Sequence, residues 1–303
     1  MKAWLLAFRL RTLPLSLSCI LIGSTLAWDS SEDFCIYRFV LLVVTTVLLQ
    51  ILSNLANDYG DSENGADNLE RIGPDRAVQS GLISKSSMYR AMILLAILSF
   101  LSGLGLIYLV FGFAYWKQLL FFLVLGVLAI WSAIKYTAGR NPYGYSGFGD
   151  LFVFMFFGIV GVLGTNYLMS QNFFLEHTLP AISIGLFSVA VLNLNNMRDF
   201  NGDKSAGKKT MVVRMGIKNA RIYHTALLFV AFISSIIYVA LLQKAYLAYL
   251  FLMICPMLIF NLKAVWSVVH LKDLDGQLKL MALTSFAYSV LFSIGLIFSN
   301  YGL

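Results

Sequence analysis

The sequence predicts an all-α integral membrane protein, a single domain of about nine transmembrane helices. Three observations predict it: the composition, the way the apolar residues are segmented, and the one-sided placement of the basic residues. Of 303 residues 59% are hydrophobic and only 12% charged, and the mean hydropathy is +0.79, whereas a soluble domain is nearer to about half apolar and about a quarter charged. A soluble core cannot absorb that much apolar surface.

The apolar residues gather in stretches close to the roughly 20 residues that cross a bilayer as a helix. They fall at 12–28, 38–57, 88–110, 117–135, 149–170, 178–197, 222–242, 246–266 and 281–299. The first is read as a permanent helix rather than a cleaved signal, because Arg9, Arg11 and Pro14 lead straight into it without a small-residue cleavage site and later stretches are equally apolar. All but three of the 22 lysines and arginines lie in alternate connections; the exceptions are Arg38, Lys117 and Lys244. Short cytoplasmic loops retain basic residues, so the N-terminus is expected inside and, with an odd number of helices, the C-terminus outside. The same bias accounts for most of the net charge of +7, and no basic stripe interleaved with stacking aromatics marks a nucleic-acid surface. Cys19, Cys35 and Cys255 form neither a metal-ligand spacing nor a framework of bridges.

Two inner connections differ from simple topogenic loops because they carry acids and amides as well as bases. The second helix ends in Asn54, Asn57, Asp58 and Asp61, followed by Glu63 and Asp67; the sixth ends in Asn193, Asn195, Asn196, Asp199 and Asp203. Asn54, Asp58 and Asp61 stand at i, i+4 and i+7, and Asn195, Asp199 and Asp203 at i, i+4 and i+8, so each set is expected on one helical face. Either cluster alone could be a helix end returning to water. Together they lie on the same membrane side, each led by Asn-Leu-x-Asn, which suggests two four-helix repeats plus a ninth helix, with the acidic clusters facing across a central cavity.

Facing carboxylates without histidine or cysteine at ligand spacing point to a hard cation. Magnesium characteristically takes one or two carboxylates plus substrate phosphate oxygens. The implied ligand is a phosphorylated or diphosphate substrate, and bases stand ready for it: Arg11 at the first helix, Arg71 and Arg76 after the first cluster, Lys208, Lys209 and Arg214 after the second. Arginine forks suit phosphate oxygens and lysine supplies a point charge. A third polar element, from Tyr136 through Arg140, Pro142, Tyr143, Gly144 and Tyr145 to Asp150, is a turn-rich connector on the same side, with Asp150 a candidate helix cap.

These blocks resemble the UbiA-type intramembrane aromatic prenyltransferases. Asn57-Asp58-x-x-Asp61 matches the opening of their first acidic motif, and Asp199-x-x-x-Asp203 matches the second. The third acid of the first motif departs in spacing, with Glu63 and Asp67 both open for its role. Arg71-Ile-Gly-Pro74, Gln79-Ser-Gly81, Pro142-Tyr-Gly-Tyr145, Gly207-Lys-Lys-Thr210 and Val213-Arg-Met-Gly216 are similar to the branch that prenylates 1,4-dihydroxy-2-naphthoate in menaquinone biosynthesis.

The resemblance implies nine helices around a central cavity and a bacterial plasma-membrane enzyme that uses a polyprenyl diphosphate donor. It implies two magnesium ions, held among Asn54, Asp58, Asp61, Asp67, Asp199 and Asp203. Asn57, Asn195 and Asn196 are implied on the substrates, with Arg140, Tyr143, Tyr145 and Asp150 on the acceptor. Other acceptors of the superfamily, homogentisate, hydroxybenzoate or haem, are the near alternatives. A secondary transporter with acidic ion sites is the distant one, disfavoured because the acids lie at one membrane face and no pair of mid-span helix breaks is evident.

Overall fold

A computed structural model describes residues 2–31, 34–64 and 76–300 of the chain. Asp67 and Arg71 therefore lie outside the described residues. Among these residues the secondary structure is helical throughout, and nine segments are long and apolar enough to cross a bilayer: Lys2–Ser31, Ile36–Glu63, Lys85–Phe111, Trp116–Lys135, Gly149–Ser170, Leu175–Arg198, Met211–Leu241, Tyr246–Ser267 and Leu271–Ser299. They are called spans one to nine. The protein is a multi-pass membrane protein, since every backbone polar group in hydrocarbon must find an internal partner and helices provide it.

Burial follows position in the bundle. Spans six and nine are the most enclosed and span four the least. The outward row Leu120, Phe121, Val124, Val127, Leu128 and Trp131 of span four is exposed, as a lipid-facing surface requires. Spans five and six cross where two glycines meet; a Cβ at Gly158 would stand 2.7 Å from the Ala181 carbonyl and 2.9 Å from Gly185 Cα. Small residues let backbones approach where no hydrophobic force separates helix from lipid.

The first helix starts at Leu13, as expected from residue 12, and is preceded by a short helix Lys2–Phe8 that ends at Arg9, whose φ of 48° is left-handed. Asn54 of span two secures this break, its Nδ2 donating to the freed Phe8 carbonyl and to Thr12 Oγ1, both at 2.9 Å. Two expectations change in detail. Span six does not carry its acids on one continuous helical face, because it ends at Arg198, Asp199 leaves helical geometry (φ −91°, ψ 9°), and a separate helix spans Phe200–Ser205. Mid-span irregularity is also present: Phe154–Gly164 is wound as a wide π-helix and Tyr246–Ile254 as a tight 3₁₀-helix.

Candidate active site

Span two is 28 residues long and its last two turns carry Asp58, Gly60 and Asp61, all buried. What surrounds those turns is set by two connections folded over them. The first is the turn 76–83, which seats Ala77, Val78 and Ile83 on Leu52, Leu55 and Ala56 of span two in a small apolar cluster of its own. Asp58 anchors it by accepting the Ala77 N–H at 3.0 Å and the Val78 N–H at 3.3 Å. The second is the 136–147 connection. It lies directly on Gly60, where a Cβ would stand 2.5 Å from the Thr137 backbone, and it is pinned by Thr137 Oγ1 donating to the Ala56 carbonyl at 3.0 Å and Asn64 Nδ2 to the Thr137 carbonyl at 2.9 Å.

Folded this way, the two connections converge on Asp61. Its carboxylate accepts Arg76 Nη2 at 2.5 Å, the Tyr145 hydroxyl at 2.6 Å and Lys208 Nζ at 3.1 Å. Lys208 also lies 3.5 Å from Asp203 Oδ1 and 4.6 Å from the centre of the Tyr145 ring. A single ammonium thus stands between the two acidic arms, contributed by positions 61 and 203. Burial pushes the Asp203 carboxyl up to about 6, a rise that Lys208 opposes and that Asp199 and Asp61 reinforce. Burial also works against the Lys208 ammonium, but the Asp61 and Asp203 carboxylates outweigh it and hold its pKa above the ordinary value.

The acids open into a cavity of about 740 Å³. At the end that holds the acids it is lined by Arg11, Asn54, Asn57, Asp61, Arg76, Tyr143, Tyr145, Asn195, Asn196, Asp199, Asp203 and Lys208. Away from that end the lining is Leu49, Leu106, Ile107, Phe122, Leu125, Phe156, Phe157 and Val160. One continuous space therefore joins a charged mouth to an apolar trough running along the helices.

Several sequence-predicted residues stand elsewhere. Asp58 does not line the cavity; its charge faces the backbone N–H groups of the 76–78 turn, because the seventh position of its helical face, not the fourth, points inward. Glu63 pairs with Lys85 at 2.6 Å on the exposed surface. Lys209 and Arg214 act through the backbone: Lys209 N–H donates to the Tyr145 carbonyl at 2.8 Å, while Arg214 donates to the Lys209 and Ser146 carbonyls at 3.0 and 2.7 Å. They stitch the 143–147 turn to the 207–210 turn and so bring Tyr145 and Lys208 together. Gly147, at φ 82°, fits only because it lacks a Cβ, which would stand 2.8 Å from the Lys209 carbonyl. Arg140 is exposed and outside the lining. Asp150 does not cap its helix; it sits buried inside the first turn. Tyr143 donates to the Ser132 carbonyl at 2.9 Å and stacks on Phe152 with ring centres 4.0 Å apart.

Two residues of the site escape sequence reasoning. Arg198 counted only among the basic residues that follow the sixth helix, and Asp275, the first residue of the helix Asp275–Asn300, was not singled out. In the structure Arg198 holds both carboxylate oxygens of Asp199, at 2.8 and 2.7 Å, and Asp275 at 2.6 Å. Its adjacency to Asp199 at the end of an apolar helix is the only signal that could have marked it.

Among the described residues no group of three or more acidic, histidine or cysteine side chains forms a cage. The chemistry of the donors nonetheless fits magnesium: hard carboxylate oxygens at Asp61, Asp199 and Asp203, each already facing a cationic side chain, with room beside them for phosphate oxygens to complete the sphere.

Comparison with known proteins identifies the family and the fold. The model of the UbiA prenyltransferase family matches residues 16–291. The chain is 42% identical over 300 residues to the 1,4-dihydroxy-2-naphthoate octaprenyltransferase of Haemophilus influenzae, covering 98% of this chain and 96% of that protein. It is 39% identical over 300 residues to the enzyme of that name from Escherichia coli, covering 99% and 96%. Among solved structures, it superposes on the apo UbiA homolog of Aeropyrum pernix K1 with a TM-score of 0.69 at 16% identity, covering 95% of this chain and 98% of that one. It superposes on the Archaeoglobus fulgidus homolog bound to GPP and Mg2+ with a TM-score of 0.58 at 15% identity, covering 96% and 100%.

Proposed function

The chain belongs to the UbiA prenyltransferase family, and from that premise we propose that it transfers a polyprenyl group from its diphosphate to 1,4-dihydroxy-2-naphthoate. The observation that carries this reading is the cavity: a charged mouth for a diphosphate continuous with an apolar trough for an isoprenoid chain. Relatives named for naphthoate prenylation along almost their whole length supply the acceptor.

In the reaction the bond from the allylic carbon to the diphosphate oxygen breaks, and a new bond forms to the ring carbon that carries the carboxylate. Carbon dioxide and diphosphate leave, and the product is a demethylmenaquinol. Bound magnesium supplies charge neutralisation for the departing diphosphate. Asp61, Asp199 and Asp203 are the residues that would hold it, with Asn57 and Asn195 beside them. Lys208 and Arg76, freed from the acids by the incoming charge, turn to the phosphate oxygens, so the allylic carbon gains cationic character as the leaving group is stabilised. Phe152, Phe156 and Phe157 line the adjoining wall and present aromatic faces that exclude water and favour that cation. Tyr145, fixed by Asp61, borders the space where the acceptor enters.

We also place the acidic connections on the cytoplasmic side of a bacterial plasma membrane, on the strength of the basic-residue bias. The testing experiment supplies membranes containing the protein with a prenyl diphosphate and either 1,4-dihydroxy-2-naphthoate or 4-hydroxybenzoate. Prenylation and carbon dioxide release with the naphthoate alone, abolished by a chelator and restored by magnesium, is expected. Preference for hydroxybenzoate would refute the acceptor, and full activity under chelation would refute the metal.

A further inference from the structure

Arg198 closes span six with its side chain only 3% exposed, and a guanidinium so buried needs anionic partners on every edge it presents. It has two carboxylates. Nε and Nη2 grip the two oxygens of Asp199 at 2.8 and 2.7 Å, Nη2 also reaches Asn195 Oδ1 at 2.9 Å, and Nη1 donates to Asp275 Oδ1 at 2.6 Å. Asp275 is the first residue of the long helix of span nine, 77 positions away in sequence. Its other oxygen, Oδ2, lies 4.0 Å from Arg11 Nη1 of span one.

We propose that Asp275 is a positioning residue that keeps Asp199 available to a divalent cation. The inference rests on the reading that Asp199 holds the metal with its diphosphate substrate. Both Asp199 oxygens face Arg198, so a metal ion that takes either must compete with a charge-assisted bidentate pair. That competition is lost if it strands the buried guanidinium. Asp275 prevents stranding: it holds Arg198 by the opposite edge, keeps the positive charge compensated when Asp199 turns toward a cation, and fixes the plane of the fork. Without it, Asp199 is the remaining carboxylate on Arg198, and metal binding must leave a buried cation without a counter-charge. Arg11 draws on Asp275 from the far side, so the inner ends of spans one, six and nine set the strength of this hold jointly.

The test is direct Mn2+ binding to the purified full-length protein in detergent, followed by the electron paramagnetic resonance signal of free Mn2+. Wild type is compared with Asp275→Asn, Asp275→Ser and Asp275→Glu, and each protein's metal-free unfolding temperature is recorded. The Asn and Ser variants are expected to raise the Mn2+ dissociation constant about tenfold and to lower the metal-free unfolding temperature only modestly, because Asp275 is 45% exposed and Arg198 keeps Asp199, with Glu recovering most of the affinity. The magnesium concentration for half-maximal turnover should shift in parallel while the acceptor KM stays put. Unchanged Mn2+ affinity in whichever of the Asn and Ser variants folds overturns the proposal, as does an equal loss in the Glu variant. Absence of Mn2+ binding to wild type, both alone and with a prenyl diphosphate added, overturns the metal reading itself, and this role of Asp275 with it.

Discussion

Replacing Asp61 with Asn keeps the size of the side chain and removes the charge on which three donors converge, so its consequences follow directly from the geometry. Asp61 is 3% exposed and accepts Arg76, Tyr145 and Lys208 at 2.5, 2.6 and 3.1 Å. Removing one partner of a buried ion pair costs about 3–5 kcal/mol because the remaining charge is left uncompensated. Both cations here keep a second partner, Arg76 with Asn57 Oδ1 at 3.0 Å and Lys208 with Asp203 at 3.5 Å. The expected loss of stability is therefore at the low end, about 3 kcal/mol. Loss of one electrostatic stabiliser of a transition state costs a further factor of about 10²–10³ in kcat. The assay is turnover per folded molecule in detergent, alongside thermal unfolding without metal. Normal turnover per folded molecule, or an unfolding temperature equal to wild type, would refute the placement of Asp61 as the hub of the site.

Three further outcomes are expected. Asp58→Asn removes the charged acceptor of two backbone N–H groups and should destabilise the protein by about 1.5–3 kcal/mol while leaving the magnesium requirement within about twofold of wild type; a rise of tenfold or more would return Asp58 to the metal ligands. Gly60→Ala drives a methyl group into the Thr137 backbone and should cost about 1–3 kcal/mol or more, together with loss of activity as the Tyr145 connection lifts away; a wild-type unfolding temperature would contradict the close approach. The carboxyl of Asp203 is raised from 3.8 to about 6 by burial, so the folded metal-free state keeps a proton that the unfolded chain has already released. Acidification from about pH 6 to about pH 4 should therefore stabilise the metal-free protein more than an Asp203→Asn variant. Metal affinity should fall across the same window, because each ion bound must displace that proton; calorimetric titration between pH 5 and 8 with no such trend would contradict the burial of Asp203.

The apolar spans were legible in sequence because the bilayer dictates their length and composition one segment at a time. The acidic stretches were legible for the related reason that charge at the end of an apolar helix is conspicuous. Asp61, Asp199, Asp203 and Lys208 were all singled out, and they do line one cavity. Spacing along an ideal helix, however, assumed that each helix runs straight through its acids. Span two does so, but Asp58 turns to the backbone of a neighbouring turn, and span six breaks at Asp199. Before span one's main helix the chain turns at Arg9, a turn secured by the amide of Asn54 that no local pattern marked.

What the sequence determined by itself was the solvent, the number of helices and the inventory of charge at one end of them, since these depend on local composition and its period. Which charge meets which was decided only in three dimensions. Arg214 and Lys209 became stitching for a turn rather than lining of the cavity, and Asp275 joined the site from 77 residues beyond Arg198. The physical reason is that hydrophobic burial, which places helices in the membrane, is non-directional. The hydrogen bonds and ion pairs of the site are directional and strong only at contact distance, so they take their partners from the packing of spans one, two, six and nine and not from neighbours in the chain.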